Sequence, residues 1–292
     1  MKILIAGKNS YIGCHIGQYV LEQDPAAQVD YISVRDDRWK EMDFRGYDSV
    51  VFAAAIVHRK DITDPEVYRK VNTVLPFAFA KKAKEDGVKR FVFLSTAAVY
   101  GQGKTLPKTN WITRDTPLNP TGLYGKSKLE AEQLLLPLED DGFLIFAVRT
   151  INVYGKDCPG NYFSQLAKLA KWLPLHPKAY ADVKQGCIHV RSLSRLCYFL
   201  LQADRGGIYH AQDPEPVSTY EILQALSNGM GLRRLGLPCE IPVRWVPRFS
   251  LMVKLFGGVA YDPELARCTL GDYSTVPCKD GLSQMMERSG TV

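Results

Sequence analysis

The sequence predicts an α/β protein: a parallel, doubly wound sheet with a smaller C-terminal lobe appended. Three observations carry the prediction. Unbroken apolar runs alternate with helix-like segments through the first half, a glycine-bearing turn joins the first run to the first helix, and after about Gly155 the alternation loosens into proline-bearing loops. Strands buried on both faces read as continuous apolar runs, and parallel strands need helical crossovers between them.

In chain order, KILIAG (2–7) reads as the first strand and YIGCHIGQYVLEQD (11–24) as the first helix. VDYISV (29–34), SVVFAAA (49–55), RFVFLST (90–96) and FLIFAVR (143–149) follow as strands, with helices over VNTVLPFAFAKKAKEDG (71–87) and from about Gly125. Helices are expected on both faces of the sheet, and ligands beyond the carboxyl ends of its strands. The loops DCPGNY (157–162), WLPLHPKAY (172–180) and LGLPCEIPVRWVPRF (235–249) mark the second lobe. The expected division is 1–155 and 156–292, with segments at about 180–210 returning to the first sheet. Residues 246–260, VPRFSLMVKLFGGVA, read as a buried amphipathic helix ending at Gly257 rather than as a membrane-surface helix.

With 292 residues, 46% hydrophobic and 23% charged, the composition is that of a soluble globular chain holding one large domain and a lobe. The formal charge of +6 is interleaved with acids, as in KKAKEDGVKR and VRDDRWKEMD, which marks solvated helix faces and argues against a nucleic-acid partner. A mild positive balance suits a small substrate that carries phosphate. Seven cysteines with no CxxC pair and no completing histidine spacing predict reduced thiols in the cytoplasm and no metal site. ILIA after Lys2 is too short for a signal peptide, and no apolar run approaches the roughly 20 residues of a membrane span, so no stable membrane insertion is expected.

Two constellations carry chemistry. Gly7, Ser10 and Gly13, with Tyr11 and Ile12 between them, lie where the first strand turns into the first helix, the context a dinucleotide-binding Rossmann-type loop requires. Free N–H groups at that helix start would face a pyrophosphate, and Ser10 stands where such loops often carry glycine. Further on, Ser95 and Thr96 end an apolar strand, and Tyr124 and Lys128 follow at helical i,i+4 spacing. An ammonium beside a phenol favours phenolate and makes it a usable acid/base, and the Thr96 hydroxyl could hold the substrate oxygen. Ser33 and Arg35 at the end of the second strand, in place of an acid, favour NADP slightly over NAD. His58, past the third strand, reads as a solvated loop histidine.

GKNSYIG, VVFAAA, Asn72, LSTAAVYG, YGKSK and VRTINVYG occur in the order seen in extended short-chain dehydrogenase/reductases. Over roughly residues 1–155 the chain resembles their NAD-dependent epimerase/dehydratase family, which works on nucleotide sugars; GIYHAQDPEPVSTYEIL (207–223) resembles that family's late strand-loop-helix. The resemblance implies Thr96, Tyr124 and Lys128 as catalytic residues, and Ser95 as a neighbouring hydroxyl on the substrate side. It implies cofactor contacts from Gly7 to Gly13, from Arg35, Asp43 and Phe44 near ribose and adenine, from Ala53, Ala54 and Ala55, and from Asn72. It implies Asn152, His189 and Arg191 as residues facing the substrate diphosphate, while Arg149 could instead be structural. Ala97 and Ala98 stand where the family's 4,6-dehydratases carry an acidic pair, which disfavours dehydration. The reading that results is a 4-keto-sugar reductase in cell-envelope polysaccharide synthesis. A nucleotide-sugar 4-epimerase is the alternative, and a non-catalytic NAD(P)-binding sensor the second alternative. By resemblance the protein pairs as a homodimer through the helix carrying Tyr124 and the helix before RFVFLST.

Overall fold

The computed structural model describes residues 1–57, 61–159, 162–238 and 250–287. β1 (Lys2–Ala6) turns at Gly7–Ser10 into α1 (Tyr11–Gln23), followed by β2 (Gln28–Ile32) and β3 (Ser49–Phe52). Asp64 caps α2 (Pro65–Arg69), which passes through a wide π turn, Lys70–Val74, into α3 (Leu75–Glu85). This helix therefore starts earlier than its apolar periodicity suggested. Next come β4 (Arg90–Thr96), β5 (Asn110–Ile112), α4 (Leu123–Leu135), β6 (Leu144–Thr150) and β7 (Asn152–Tyr154). The second half runs α5 (Tyr162–Trp172), β8 (Leu175–Pro177), β9 (Cys187–His189), α6 (Val190–Leu200), β10 (Gly207–Ala211), α7 (Thr219–Gly229) and β11 (Leu235–Leu237). It closes with α8 (Ser250–Phe256), β12 (Val259–Tyr261), α9 (Pro263–Ala266) and α10 (Cys278–Gln284).

The main sheet has six strands in the order β10-β6-β4-β3-β1-β2, all parallel. Period-two alternation sends neighbouring side chains to opposite faces, and β1 shows the consequence. Ile3 and Ile5 pack with Ile16 and Val20 of α1 and Leu193 and Leu196 of α6, whereas Leu4 and Ala6 join Phe79 of α3, Ala131 of α4 and Phe91 and Phe93 of β4. Each face thus acquires its own helical layer. The order reverses between β1 and β3, and at such a switch point the loops leaving the strand ends diverge and open a crevice. Gly7 and Ala53–Ala55 lie at that crevice.

Two segments of the second half serve this sheet: α6 packs on α1, and β10 forms the edge strand beside β6. Residues 180–189 do not, because β9 pairs with β7. A separate small core joins α5, α7 and α10 through Phe163, Leu166, Ile222, Leu226 and Leu282. Of the stretch read as an amphipathic helix, α8 ends before Gly257 with Phe256 buried and Leu251 62% exposed, and the part before Ser250 lies outside the described residues.

Candidate active site

Gly7 adopts φ +114°, and a Cβ there would sit 3.1 Å from the Ala54 nitrogen, so only glycine lets the turn pass this close to the end of β3. Ser10 is the N-cap of α1, in extended conformation, with its hydroxyl accepting from the Gly13 N–H at 3.2 Å. Its own N–H donates to the Gly7 carbonyl at 2.8 Å. The expectation that the Ser10 N–H faces a pyrophosphate is therefore corrected: that donor is committed to the turn. Tyr11 and Ile12, in the first helical turn, have no carbonyl four residues back within the helix, and their N–H groups are the ones left for an anion. A bare glycine turn over a helix start with open donors fits the diphosphate of a dinucleotide.

Thr96 ends β4, nine-tenths buried, and its hydroxyl accepts from the Ala98 N–H at 3.2 Å, capping a 3-10 turn over Ala97–Tyr100. α4 approaches that turn closely because residue 125 is glycine: a Cβ there would lie 2.5 Å from the Ala98 carbonyl oxygen. The approach brings Tyr124 to Thr96, and their hydroxyls hydrogen-bond. Burial pushes the Tyr124 phenol up to about 12, and the Thr96 hydroxyl works in the other direction. Lys128 is fully buried one turn on; burial pulls it down to about 7 while Glu132 draws it back up. Its Nζ donates to the Leu94 carbonyl at 2.7 Å and lies over the Phe93 ring. Lys128 is thus directed at β4, and the groups that set the Tyr124 pKa are its burial and Thr96 rather than the expected ammonium.

Ser95 is adjacent to Thr96 but faces the other way. Its hydroxyl donates to Glu132, which holds the Arg149 guanidinium at 2.7 Å; Arg149 also donates to the Tyr100 hydroxyl at 2.7 Å, and that hydroxyl meets His210 Nε2 at 2.7 Å. Arg149 and Glu132 are almost wholly buried, so Arg149 is structural and Ser95 belongs to its network rather than to the substrate side. Sequence reading missed Glu132. The signal was available, since Tyr124, Lys128 and Glu132 repeat every four residues along one face of α4.

The structure disperses several other expected site residues. Asn72 is fully buried in the π turn; its amide exchanges hydrogen bonds with the backbone of Ile56 at 2.9 Å and donates to Ser127 Oγ at 3.1 Å. Both of its N–H bonds are thus committed, and it holds the loop after Ala53–Ala55 rather than reaching a ligand. Phe44 is wholly inside the core against Phe79, which leaves no ring face for an adenine. Asp43 is exposed and paired with Arg45, which holds its carboxyl down at about 2. Arg35 is exposed beyond β2, and the following acid, Asp36, is bound by Arg38 at 2.7 Å. Asn152 is half-buried and donates to the Gly186 carbonyl at 3.0 Å, fastening β7 to β9. His189 caps α6 through Nδ1, and burial lowers it to about 4. Arg191 pairs with Glu22 of α1 at 2.8 Å and lies over Tyr19, so its guanidinium is a tie between helices. His58 lies outside the described residues.

The sequence profile described as "NAD dependent epimerase/dehydratase family" matches residues 3–211. The chain belongs to this family. Among curated proteins it is similar to a UDP-glucose 4-epimerase of Vibrio cholerae, 28% identical over 256 residues, covering 86% of this chain and 76% of that protein. It is also similar to an N-acetyl-alpha-D-glucosaminyl-diphospho-ditrans,octacis-undecaprenol 4-epimerase of Escherichia coli O157:H7, 32% identical over 143 residues, or 47% of this chain and 40% of that protein. Among solved structures, the Bordetella bronchiseptica enzyme WbmG in complex with NAD superposes with a TM-score of 0.74 at 23% identity, over 98% of this chain and 93% of that one.

Proposed function

We propose that this epimerase/dehydratase family member interconverts a carbinol and a ketone at C4 of a sugar carried on a diphosphate, and that it runs the full cycle as a 4-epimerase. The observation that carries the proposal is the Thr96–Tyr124 hydroxyl pair at the head of α4, with two methyl groups, Ala97 and Ala98, beside it. Methyl groups move no protons, which leaves one acid/base, the requirement for carbinol oxidation but not for dehydration. The relatives named as 4-epimerases favour the cycle over a single reduction.

A bound nicotinamide dinucleotide supplies the acceptor and donor of the electron pair. The chain supplies the rest. Tyr11 and Ile12 N–H groups hold the diphosphate, Tyr124 takes the proton from the C4 hydroxyl and returns it, and the Thr96 hydroxyl keeps that oxygen in place. At about 12, Tyr124 is protonated at neutral pH, and it must lose that proton before it can take one from the C4 hydroxyl. Its use as a base requires the Lys128 ammonium to turn from Leu94 toward the site. Tyr124→Phe removes the proposed proton carrier and is expected to lower turnover by about 10²–10⁴ while cofactor affinity is retained. Full turnover by that variant would refute the assignment.

A second reading, a 4-keto-sugar reductase using NADP, is favoured by Arg35, exposed beyond β2 where Asp36 is already committed to Arg38. The two differ in what the purified protein carries: an epimerase keeps a stoichiometric nicotinamide through its cycle, whereas a reductase is isolated largely empty and consumes NADPH. Absorbance of the pure protein, followed by assay on UDP-sugar and polyprenyl-diphosphate-sugar, separates both the reaction and the carrier. We also propose a homodimer through α3 and α4, supported by the partly exposed Val74, at the end of the π turn leading into α3, and Leu134 of α4. A cytoplasmic location is part of the same proposal; no helix among the described residues is long and apolar enough to cross a membrane.

A further inference from the structure

We propose that the outer edge of the C-terminal lobe, formed by the end of α5 and the β8/β11 pair, is a docking surface for an anionic lipid membrane, on which the protein adsorbs without inserting. Trp172, the last residue of α5, is 82% exposed, and Leu235 of β11 is 75% exposed. Leu175 pairs in register with Leu235, and Leu237 follows two residues on, so these leucines share the outward face of the two-stranded sheet. Arg234 joins strand to helix by donating to the Lys171 carbonyl at 3.0 Å, which ties the end of α5 carrying Trp172 to β11 carrying the leucines. Scattered single apolar residues on a surface need no explanation; three leucines on one sheet face beside a largely exposed tryptophan do.

Charge selects the occupant. Lys168, one helical turn before Trp172, is exposed, as are Lys171 and Arg233, and Arg234 lies between them half-buried. Residues 162–181 and 222–238, which build this edge, contain no Asp or Glu. A second copy related by a two-fold axis would place these cations against their own images, because a symmetric contact is self-facing. A nucleic acid would meet the cations and leave the leucines without an apolar partner. An anionic bilayer surface satisfies both features: headgroup phosphates take the lysines and arginines, while tryptophan and leucine enter the boundary between headgroups and acyl chains. The docking is independent of the reaction proposed above, and it would set the site beside any substrate carried on a lipid diphosphate.

The test is flotation of the full chain with vesicles of phosphatidylcholine alone and with vesicles containing phosphatidylglycerol, with no substrate present. The expected result is flotation with the anionic vesicles, weakening as salt is raised. Lys171→Gln and Arg233→Gln should each weaken partitioning about fivefold. The double variant Trp172→Ser/Leu235→Ser should abolish it with an unchanged circular dichroism spectrum and Tm, since both side chains are exposed. Three results would overturn the proposal: no flotation with anionic vesicles, flotation indifferent to these substitutions, or light scattering showing a dimer that the double variant converts to a monomer.

Discussion

Glu132→Gln isolates the network beneath the site, because it removes one charge and almost no volume. The Glu132 carboxylate is bound to Arg149 at 2.7 Å with the two side chains 2% and 5% exposed, so after substitution a buried guanidinium keeps only Tyr100 and a neutral amide as partners. Breaking one side of a buried ion pair costs about 3–5 kcal/mol, since the remaining charge cannot recover its hydration. A chain of 292 residues gains about 0.6 kcal/mol/K of entropy on unfolding, so the Tm should fall by about 5–8 °C. Calorimetry of parent and variant measures the shift directly. The double variant Glu132→Met/Arg149→Met removes both charges and should recover at least half of the loss, because the pair's desolvation cost disappears with it. A single variant within about 0.5 kcal/mol of the parent, or a double variant no better than the single one, would refute the argument that the unpaired charge dominates.

The other expectations follow from the same geometry. Ser10→Ala removes the α1 cap and should cost about 1 kcal/mol, whereas Ser10→Gly should cost only a few tenths; urea midpoints distinguish them. Because Ser10 Oγ occupies the Gly13 N–H, Ser10→Gly should also bind dinucleotide more tightly by calorimetry, and equal or weaker binding would remove the idea that the hydroxyl competes for that donor. Lys128 titrates at about 7 in the fold against about 10.4 in the unfolded chain. Between those values the unfolded state holds a proton that the folded state lacks, so stability should rise as pH goes from 7 to 10, and Lys128→Met should flatten that rise in urea titrations. Thr96→Val keeps the shape of the side chain but removes the hydroxyl pulling Tyr124 down, so the alkaline limb of the activity profile should move to higher pH. An unmoved limb would place the Thr96 hydroxyl outside the proton path.

Much of the site was legible because its signals are local. Gly7 and Gly13 flank a strand-to-helix turn, and the i,i+4 spacing of Tyr124 and Lys128 fixes one helix face whatever surrounds it. Ser95 and Thr96 show where locality ends. Alternation along β4 dictates that they face opposite sides, but that Ser95 lies under α4 against Glu132 while Thr96 meets Tyr124 at the strand end follows from how α4 packs, with Gly125 against Ala98. Arg191 and Phe44 were read through resemblance, yet their partners, Glu22 and Phe79, lie far away in sequence and are set by helix packing and core burial.

The sequence by itself determined the doubly wound class, the turn over α1 and the placing of Tyr124 and Lys128 on one helix face, because hydrophobic period and helical spacing are properties of neighbours along the chain. Only the tertiary structure decided that Lys128 turns to Leu94, that Glu132 and Arg149 lie under the site, and that Trp172 and Leu235 share one exposed edge. Each of those depends on contacts between segments whose separation along the chain carries no periodic signal, and on burial, which no single stretch of sequence contains.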